Sequence, residues 1–193
     1  MKIYLIRHGE TTGDIEDRYG GDYDDHLSEL GRKEAQDLAQ RVKDFGIEKI
    51  FCSHRIRAKE TAEILRRELG CDIEIVQNMR ERNQYGILTG MVKSEAKQKY
   101  PDLPELLKDY RNTIEGAENY DDFSKRVHGA LVKIAAMNYK IIAVVTHGGP
   151  IKAVLRKIKF EFDYKMKDCA FAEMEAEETK LTPVRLDGIE PKT

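Results

Sequence analysis

Short apolar runs and longer amphipathic stretches alternate along the chain, and the two patterns predict different elements. The short runs are rich in β-branched residues, which is typical of buried strands. They predict strands at residues 2–6, 49–52, 72–76 and 140–146.

The stretches between these strands carry apolar residues at helical spacing. The first predicted helix begins at an N-cap, Ser28, and ends at Gly46, and the next one ends at Gly70. A further helix is predicted to be capped by Asp121 or Asp122. Because strands and helices alternate, the pattern predicts an α/β fold with a mainly parallel sheet.

Two parts of the chain depart from this alternation. Residues 91–114 are polar, contain two prolines and are interpreted as short helices in an excursion that could roof a pocket. Residues 170–176 and 180–186 alternate between apolar and polar positions and predict a late hairpin at the sheet edge. We expect one domain over residues 1–193, with the excursion as a small cap.

Composition and charge exclude several classes of function. Hydrophobic residues make up 40% of the chain, charged residues 35%, and the formal net charge is −2, so the chain has no overall attraction to nucleic acid. No apolar run approaches the ~18 residues of a membrane span. The three cysteines include no Cys-x-x-Cys pair, so we expect a cytoplasmic protein without a disulfide framework. Cys52 and His54 lack a second ligand pair, so we expect no metal site.

Two of the predicted strands end in a histidine that is followed by glycine. The first strand leads into Arg7-His8-Gly9, and the strand at 140–146 leads into His147-Gly148. Ligands of open α/β sheets bind beyond the carboxyl ends of the strands. If the two strands are neighbours, their imidazoles face each other across one pocket.

The chain resembles the histidine phosphatase superfamily, also called the phosphoglycerate mutase-like family, over nearly its whole length. The ordered blocks that carry the resemblance are Arg7-His8-Gly9-Glu10-Thr11, Leu27-Ser28-Glu29-Leu30-Gly31, Ser53 with Arg57-Ala58 and Thr61-Ala62, Arg80-Glu81-Arg82, Gly116-Ala117-Glu118, and Val145-Thr146-His147-Gly148-Gly149. The resemblance implies a three-layer α/β/α sandwich on a mostly parallel sheet.

The resemblance also assigns catalytic roles to five residues. His8 would be the nucleophile that forms a phosphohistidine, which divides one difficult displacement into two easier ones. Arg7 and Arg57 would bind phosphoryl oxygens, because guanidinium is always charged and can bind an anion through two N–H groups. His147 would donate a hydrogen bond to the transferring phosphoryl group. Glu81 would protonate the leaving oxygen.

The substrate-binding residues implied by the resemblance surround these five. They are Thr11, Asp14, Gly20 and Gly148, together with Arg7 and Arg57. Many relatives have asparagine at the position of Asp14, and a carboxylate there would repel phosphate unless it turns away or pairs with an arginine. Glu118 is expected to order the arginines from behind the site.

The resemblance implies a phosphatase that hydrolyses phosphomonoesters through a phosphohistidine on His8, with no metal and no cofactor. The first alternative is a cofactor-dependent phosphoglycerate mutase. The second is a non-catalytic module that binds a phosphorylated ligand. We expect a small phosphorylated metabolite as the partner, neither nucleic acid nor membrane, and a monomer or homodimer.

Overall fold

A six-stranded sheet forms the centre of the molecule in the computed structural model, which describes residues 1–158, 164–177 and 180–191. The strands are β1 (Lys2–Arg7), β2 (Lys49–Cys52), β3 (Asp72–Ile75), β4 (Ile141–Thr146), β5 (Tyr164–Glu177) and β6 (Lys180–Pro191). Their order across the sheet is β3-β2-β4-β1-β5-β6. The first four strands in that order run parallel, and β5 and β6 run antiparallel to their neighbours. The predicted mostly parallel sheet is confirmed.

The late hairpin is longer than its sequence pattern predicted. β5 begins at Tyr164 and β6 ends at Pro191, whereas alternation was recognised only within 170–176 and 180–186. The register of the pair shifts twice, and each shift interrupts the period of two on which alternation depends.

Seven helices lie among the described residues and cover both faces of the sheet. They are α1 (Thr12–Ile15), α2 (Glu29–Val42), α3 (Ile56–Leu69), α4 (Lys93–Lys99), α5 (Leu103–Leu106), α6 (Tyr120–Ala135) and α7 (Gly148–Lys157). Successive residues of β1 point to opposite faces: Ile3 and Leu5 pack with α6 and α7, and Tyr4 and Ile6 pack with α2 and α3. The fold is therefore the predicted three-layer sandwich.

Most predicted helix ends agree with the structure, and one does not. The Ser28 hydroxyl accepts from the Gly31 amide at the start of α2. Gly70 ends α3 with φ 68°, a left-handed conformation that glycine adopts without steric cost. The prediction that Asp121 or Asp122 caps α6 is wrong. The cap is Asn119, whose side chain accepts from the Asp122 amide, and both aspartates lie in the first turn of the helix.

The polar excursion packs on its own small apolar cluster beside the sheet. Leu88, Ala96, Leu107 and Ile114 are its buried members. The cluster holds α4 and α5 over the carboxyl ends of the strands, where the cavity described below opens. Among the described residues, no helix has both the length and the apolar character needed to cross a bilayer.

Candidate active site

The two strands that end in His-Gly are neighbours in the sheet. β1 and β4 pair with Arg7 opposite Thr146, so His8 and His147 leave the sheet at the same edge. The His8 amide donates to the Thr146 carbonyl at 3.1 Å. The centroids of the two imidazole rings are 5.0 Å apart, and the rings meet edge to face.

A backbone carbonyl sets the tautomer of His8. Its Nδ1 lies 2.8 Å from the Gly9 carbonyl oxygen, which can only accept, so Nδ1 carries the proton. The lone pair of the neutral ring is therefore on Nε2, which accepts from the Nε–H of Arg57 at 3.1 Å. Burial, together with the charges of Arg57 and Arg7, holds the pKa of His8 well below its usual value. His8 is thus neutral near pH 7.

Arg57 is buried in the first turn of α3, beside both imidazoles. Its Nε–H lies 3.1 and 3.2 Å from one nitrogen of each ring. Nη1 donates to the Tyr23 carbonyl and to the Asp25 carboxylate, each at 2.7 Å, and Nη2 donates to the Gly21 carbonyl at 2.9 Å. The guanidinium therefore holds the loop over the site and directs one N–H between the two histidines.

His147 is fully buried and lies behind Arg57. Its Nδ1 accepts from Arg57, and its Nε2 lies 2.8 Å from the Ser53 hydroxyl oxygen. Burial and the charge of Arg57 hold the pKa of His147 well below its usual value, so this ring is also neutral. With Nδ1 accepting, the proton is on Nε2 and the ring donates to Ser53.

Arg7 is anchored by β5. Its Nη1 donates to the Met166 carbonyl at 2.6 Å, and its Nη2 lies 2.9 Å from Asp168 Oδ1. Burial raises the pKa of Asp168 to about 6, and the charge of Arg7 opposes that rise. The pairing of β5 with β6 shifts register between Met166 and Phe171, and Cys169 within this bulge has φ 53°. Bulges re-aim nearby side chains, and this one lies beside the Arg7 contact.

Both carboxylate oxygens of Glu81 accept from backbone amides at the edge of the cavity. Oε1 accepts from the Arg82 amide at 2.7 Å, and Oε2 accepts from the Gly149 amide at 3.0 Å. A Cβ at position 149 would lie 1.9 Å from Glu81 Oε1. Only glycine allows this approach of α7 to the carboxylate.

The segment that carries Glu81 is held from below by Arg126 of α6. The guanidinium donates to the carbonyls of Asn78, Arg80 and Glu81 at 2.9–3.0 Å. It also binds both carboxylate oxygens of Glu118, at 2.6 and 2.7 Å. Glu118 therefore binds Arg126 and, at 3.5 Å, Arg80, whereas the arginines at His8 that it was expected to order, Arg7 and Arg57, pair with Asp168 and Asp25.

These residues border a cavity of about 510 Å³ at the carboxyl ends of β1 and β4. The predicted site residues that line it are Arg7, His8, Thr11, Asp14, Gly20, Arg57, Glu81 and Gly148, whereas His147 does not. Asp14 faces away in part: its Oδ2 accepts from the Thr11 amide and hydroxyl in a capping box at the start of α1. The predicted cap also contributes Lys93, Leu107, Lys108 and Tyr110 to the lining.

Sequence reasoning gave no role to three residues that hold the site together, Ser53, Asp25 and Asp168. Ser53 follows β2 directly, so the strand-end argument that selected the histidines could have selected it. Gly149 was expected, with Gly148, to let the backbone approach closely, and the group that it approaches is the Glu81 carboxylate. Asp25 and Asp168 lie in loops or bulges whose partners, Arg57 and Arg7, are far away in sequence, and no local pattern identifies them.

In the part of the chain that the structure describes, no group of three histidine, cysteine or acidic side chains converges as a metal site would require. The contacts of the two histidines are instead with arginine, serine and backbone groups.

Comparison with known proteins identifies the family. A sequence profile described as the histidine phosphatase superfamily (branch 1) matches residues 3–188. The chain belongs to this superfamily. Its chemistry is accordingly the phosphoryl-transfer chemistry of histidine phosphatases.

Three curated relatives are about one-third identical to the chain over the residues that align. An uncharacterised phosphatase of Bacillus subtilis, PhoE, is 32% identical over 81% of this chain and 76% of its own length. A metal-independent phosphoserine phosphatase of Arabidopsis thaliana is 32% identical over 81% of this chain and 68% of its length. A probable phosphoglycerate mutase, GpmB, of Cronobacter sakazakii is 33% identical over 68% of this chain and 61% of its length.

The fold is also found in solved structures. Bacillus stearothermophilus YhfR superimposes with a TM-score of 0.84 at 25% identity, covering 94% of each chain. The three-layer architecture of this chain is therefore that of the superfamily.

Proposed function

We propose that the protein is a phosphomonoester phosphatase that uses His8 as its nucleophile and needs no metal ion. The observation that carries the proposal is the state of His8. It is a neutral imidazole whose Nδ1–H is bound by the Gly9 carbonyl, so that the Nε2 lone pair lies at the cavity beside Arg57. Such a ring is an activated nucleophile without further proton transfer.

The first chemical step forms a bond between His8 Nε2 and phosphorus. A phosphoryl group entering the cavity takes the Nε–H of Arg57 away from the imidazole and leaves the lone pair free to attack in line. The bond from phosphorus to the ester oxygen breaks, and the leaving oxygen takes a proton from Glu81, which enters this step as the carboxylic acid and regains its proton from water in the second step. Arg7 and Arg57 offset the charge on the phosphoryl oxygens throughout.

The second step hydrolyses the phosphohistidine. Glu81, now a carboxylate, removes a proton from a water molecule that attacks phosphorus, and the bond from phosphorus to Nε2 breaks. Phosphate leaves, and His8 returns to its neutral form. Glu81 serves both steps from one position because Gly149 and Arg82 hold its two oxygens through their amides.

The role of His147 depends on a change of tautomer. In the structure, its Nδ1 accepts from Arg57. Once the Arg57 Nε–H turns to the phosphoryl group, the Ser53 hydroxyl can donate to Nε2, and the proton moves to Nδ1, which then faces the reaction. Thr11, Asp14, Gly20 and Gly148 would border the substrate from the other sides.

We also propose the wider setting that the sequence suggested. The chain acts as one catalytic domain over residues 1–193, with 91–114 as a cap over the cavity. It works in the cytoplasm on a small phosphorylated metabolite, as a monomer or homodimer. Four wall residues from the cap, Lys93, Leu107, Lys108 and Tyr110, support the cap assignment.

Trapping the phosphoenzyme tests the proposal. The wild type is mixed with a phosphomonoester, quenched at high pH and analysed by peptide mass spectrometry. We expect one phosphate, on His8, and no turnover by His8→Ala, while His26→Ala, which changes an exposed histidine outside the cavity lining, stays active. Phosphate on another residue, or an active His8→Ala variant, contradicts the proposal.

Two further assays distinguish the alternatives. A chelator should leave turnover intact and vanadate should inhibit, because vanadate adopts the five-coordinate geometry of the transition state. Isomerisation of 3-phosphoglycerate in the presence of its bisphosphate, at a rate above phosphate release, would instead identify a mutase. Binding of phosphomonoesters with neither phosphate release nor isomerisation would identify a binding module.

A further inference from the structure

The two arginines at His8 are each paired with a carboxylate. Arg57 Nη1 lies 2.7 Å from Asp25 Oδ1, and Arg7 Nη2 lies 2.9 Å from Asp168 Oδ1. A phosphoryl group at His8 would therefore meet two guanidinium charges that two carboxylates already offset. A site that only had to bind phosphate tightly would gain nothing from these carboxylates.

The pair of Arg57 and Asp25 is the more buried of the two. Its side chains are 4% and 8% exposed, whereas those of Arg7 and Asp168 are 22% and 24% exposed. Salt and water screen a buried charge much less than an exposed one. Asp25 also lines the cavity, so its negative charge acts directly on an anion that binds there.

Asp25 is fixed in place by contacts on its other side. A Cβ at Gly13 in α1 would lie 2.0 Å from the Tyr23 hydroxyl oxygen and 2.9 Å from Asp25 Oδ2, so both oxygens converge on the space that glycine leaves. Burial, followed by the charge of Asp25, raises the pKa of Tyr23 to about 12. The hydroxyl therefore keeps its proton and donates to the carboxylate.

Asp168 reaches Arg7 from the bulge in β5. Burial raises the pKa of Asp168 to about 6, against the charge of Arg7. Three further carboxylates add to that rise, those of Asp14, Glu34 and Glu10. Asp168 is therefore ionised at pH 8, where it offsets the charge of Arg7.

The orientation of the two guanidinium groups does not depend on the carboxylates alone, because backbone carbonyls also hold them. The carbonyls of Gly21 and Tyr23 accept from Arg57 at 2.9 and 2.7 Å. The Met166 carbonyl accepts from Arg7 at 2.6 Å. These acceptors are neutral, so what the two carboxylates add to them is negative charge.

We propose that Asp25 and Asp168 lower the affinity of the site for phosphate and thereby speed the release of the product. They act through Arg57 and Arg7 and take no part in the making or breaking of bonds. The proposal rests on the proposed function, in which phosphate leaves from these two arginines. A charge that binds substrate, transition state and product equally does not speed the chemical steps, but it delays the departure of phosphate.

Binding of inorganic phosphate, the product itself, tests the proposal without turnover. Isothermal titration calorimetry at pH 8, where phosphate is a dianion, compares the wild type with Asp25→Asn and Asp168→Asn. Asparagine keeps an oxygen that accepts from the guanidinium and removes the negative charge. Each variant should bind phosphate about tenfold more tightly, because a nearby like charge is gone. A carboxylate that only held the structure would give the opposite sign, since its loss would loosen the guanidinium and weaken binding.

Asp24→Asn is the matched control. Asp24 adjoins Asp25 in the chain, but its carboxylate binds Arg55 and the Ile56 amide and does not line the cavity. Its side chain is 46% exposed, so the charge that it loses is screened by water. Asp24→Asn should keep the wild-type affinity. Circular dichroism checks that each variant folds, and Asp168→Asn makes the same test in a separate segment if Asp25→Asn does not fold.

Steady-state kinetics supply a second readout. Phosphate should inhibit the hydrolysis of nitrophenyl phosphate competitively, with an inhibition constant about tenfold lower in each asparagine variant than in the wild type. The KM for nitrophenyl phosphate should fall as well. The kcat should not rise, since phosphate that binds more tightly leaves more slowly.

Unchanged or weaker phosphate binding by both asparagine variants would overturn the proposal. Equal tightening by Asp24→Asn would also overturn it, because the effect would then come from net charge. Hydrolysis by the wild type is measured separately. If the wild type releases phosphate from nitrophenyl phosphate but neither variant binds phosphate more tightly, the role of the carboxylates fails and the proposed function stands. If the variants bind phosphate more tightly but the wild type hydrolyses no phosphomonoester, the proposed function fails and the charge compensation stands.

Discussion

The proposed proton transfer depends on one contact between two residues, in which the Gly149 amide donates to the Glu81 carboxylate. The carboxylate is held by two backbone amides, and no other side chain is needed to orient it. Backbone donors cannot rotate away, so the oxygens remain at the cavity edge with little cost in entropy. The roles of these two residues can therefore be tested by separate substitutions.

Glu81→Gln separates proton donation from binding. An alkyl phosphate loses a basic alkoxide that needs a proton, whereas nitrophenyl phosphate loses a stable phenolate. General acid catalysis contributes ~10²–10⁴-fold, so the substitution should slow phosphorylation of His8 by an alkyl phosphate by about that factor, and far less with nitrophenyl phosphate. Rapid-quench kinetics measure this step alone. Equal losses on both substrates would assign Glu81 a positioning role only.

Gly149→Ala should reproduce much of that loss without touching the carboxylate itself. The new Cβ would meet Glu81 Oε1 at 1.9 Å, so Glu81 must move and lose its amide contact. We expect about a hundredfold loss with an alkyl phosphate. Gly129→Ala is the matched control, because its Cβ would enter open space on α6, and activity should be retained. Full activity of Gly149→Ala would contradict the assigned position of the acid.

At the scale of elements, the N-terminus of α6 allows a direct comparison between the helix cap predicted from the sequence and the cap in the structure. Asn119 accepts from the Asp122 amide, whereas Asp121 lies in the first turn. Asn119→Ala should lower the free energy of unfolding by about 1 kcal/mol. Asp121→Ala loses only a favourable charge near the helix N-terminus and should cost less. Urea unfolding compares the two, and a larger effect of Asp121→Ala would restore the original prediction.

The elements that a local pattern of apolar residues defines could be predicted from the sequence. β2 was placed to the residue and β1 to within one, because a buried strand needs a continuous apolar run. The meeting of His8 and His147 was expected only if their strands were neighbours, a condition that the pairing of β1 with β4 fulfils. The anchoring of Arg7 by Asp168 was not expected, because it arises from a bulge in β5 that only the pairing with β6 defines. The cap of α6 was missed because three residues within four positions, Asn119, Asp121 and Asp122, have side chains that can cap a helix.

At the scale of the whole molecule, packing against both faces of the sheet explains why the imidazoles of His8 and His147 are buried and neutral. His8 and His147 follow strands covered by α2 and α3 on one face and by α6 and α7 on the other. His128, on α6 and outside the site, is half-buried, and burial lowers its pKa to about 4. Three histidines are therefore neutral in the folded protein at pH values where the unfolded chain would protonate them.

This difference predicts that the protein loses stability as the pH falls from 7 to 5.5. A histidine whose pKa is lower in the folded state favours folding above its unfolded pKa of ~6.5, and that contribution is lost below it. Three such residues give a slope of up to about 4 kcal/mol per pH unit. Asp168 acts in the opposite direction, because its pKa is raised to about 6, so the folded state takes up a proton there as the pH falls. Burial lowers the pKa of His54 as well, so the net slope should be at least about 2 kcal/mol per pH unit.

Urea unfolding at pH 7, 6 and 5.5 measures this slope, and two substitutions assign it. His128→Asn should reduce the slope by about one proton, or ~1.4 kcal/mol per pH unit, because the asparagine does not titrate. That variant should keep its activity, since His128 does not line the cavity. Asp168→Asn should make the slope steeper, because it removes the opposing proton uptake. Unchanged stability between pH 7 and 5.5 would show that the buried histidines are not neutral in the folded state. His8 would then lack the neutral form that the phosphohistidine mechanism requires.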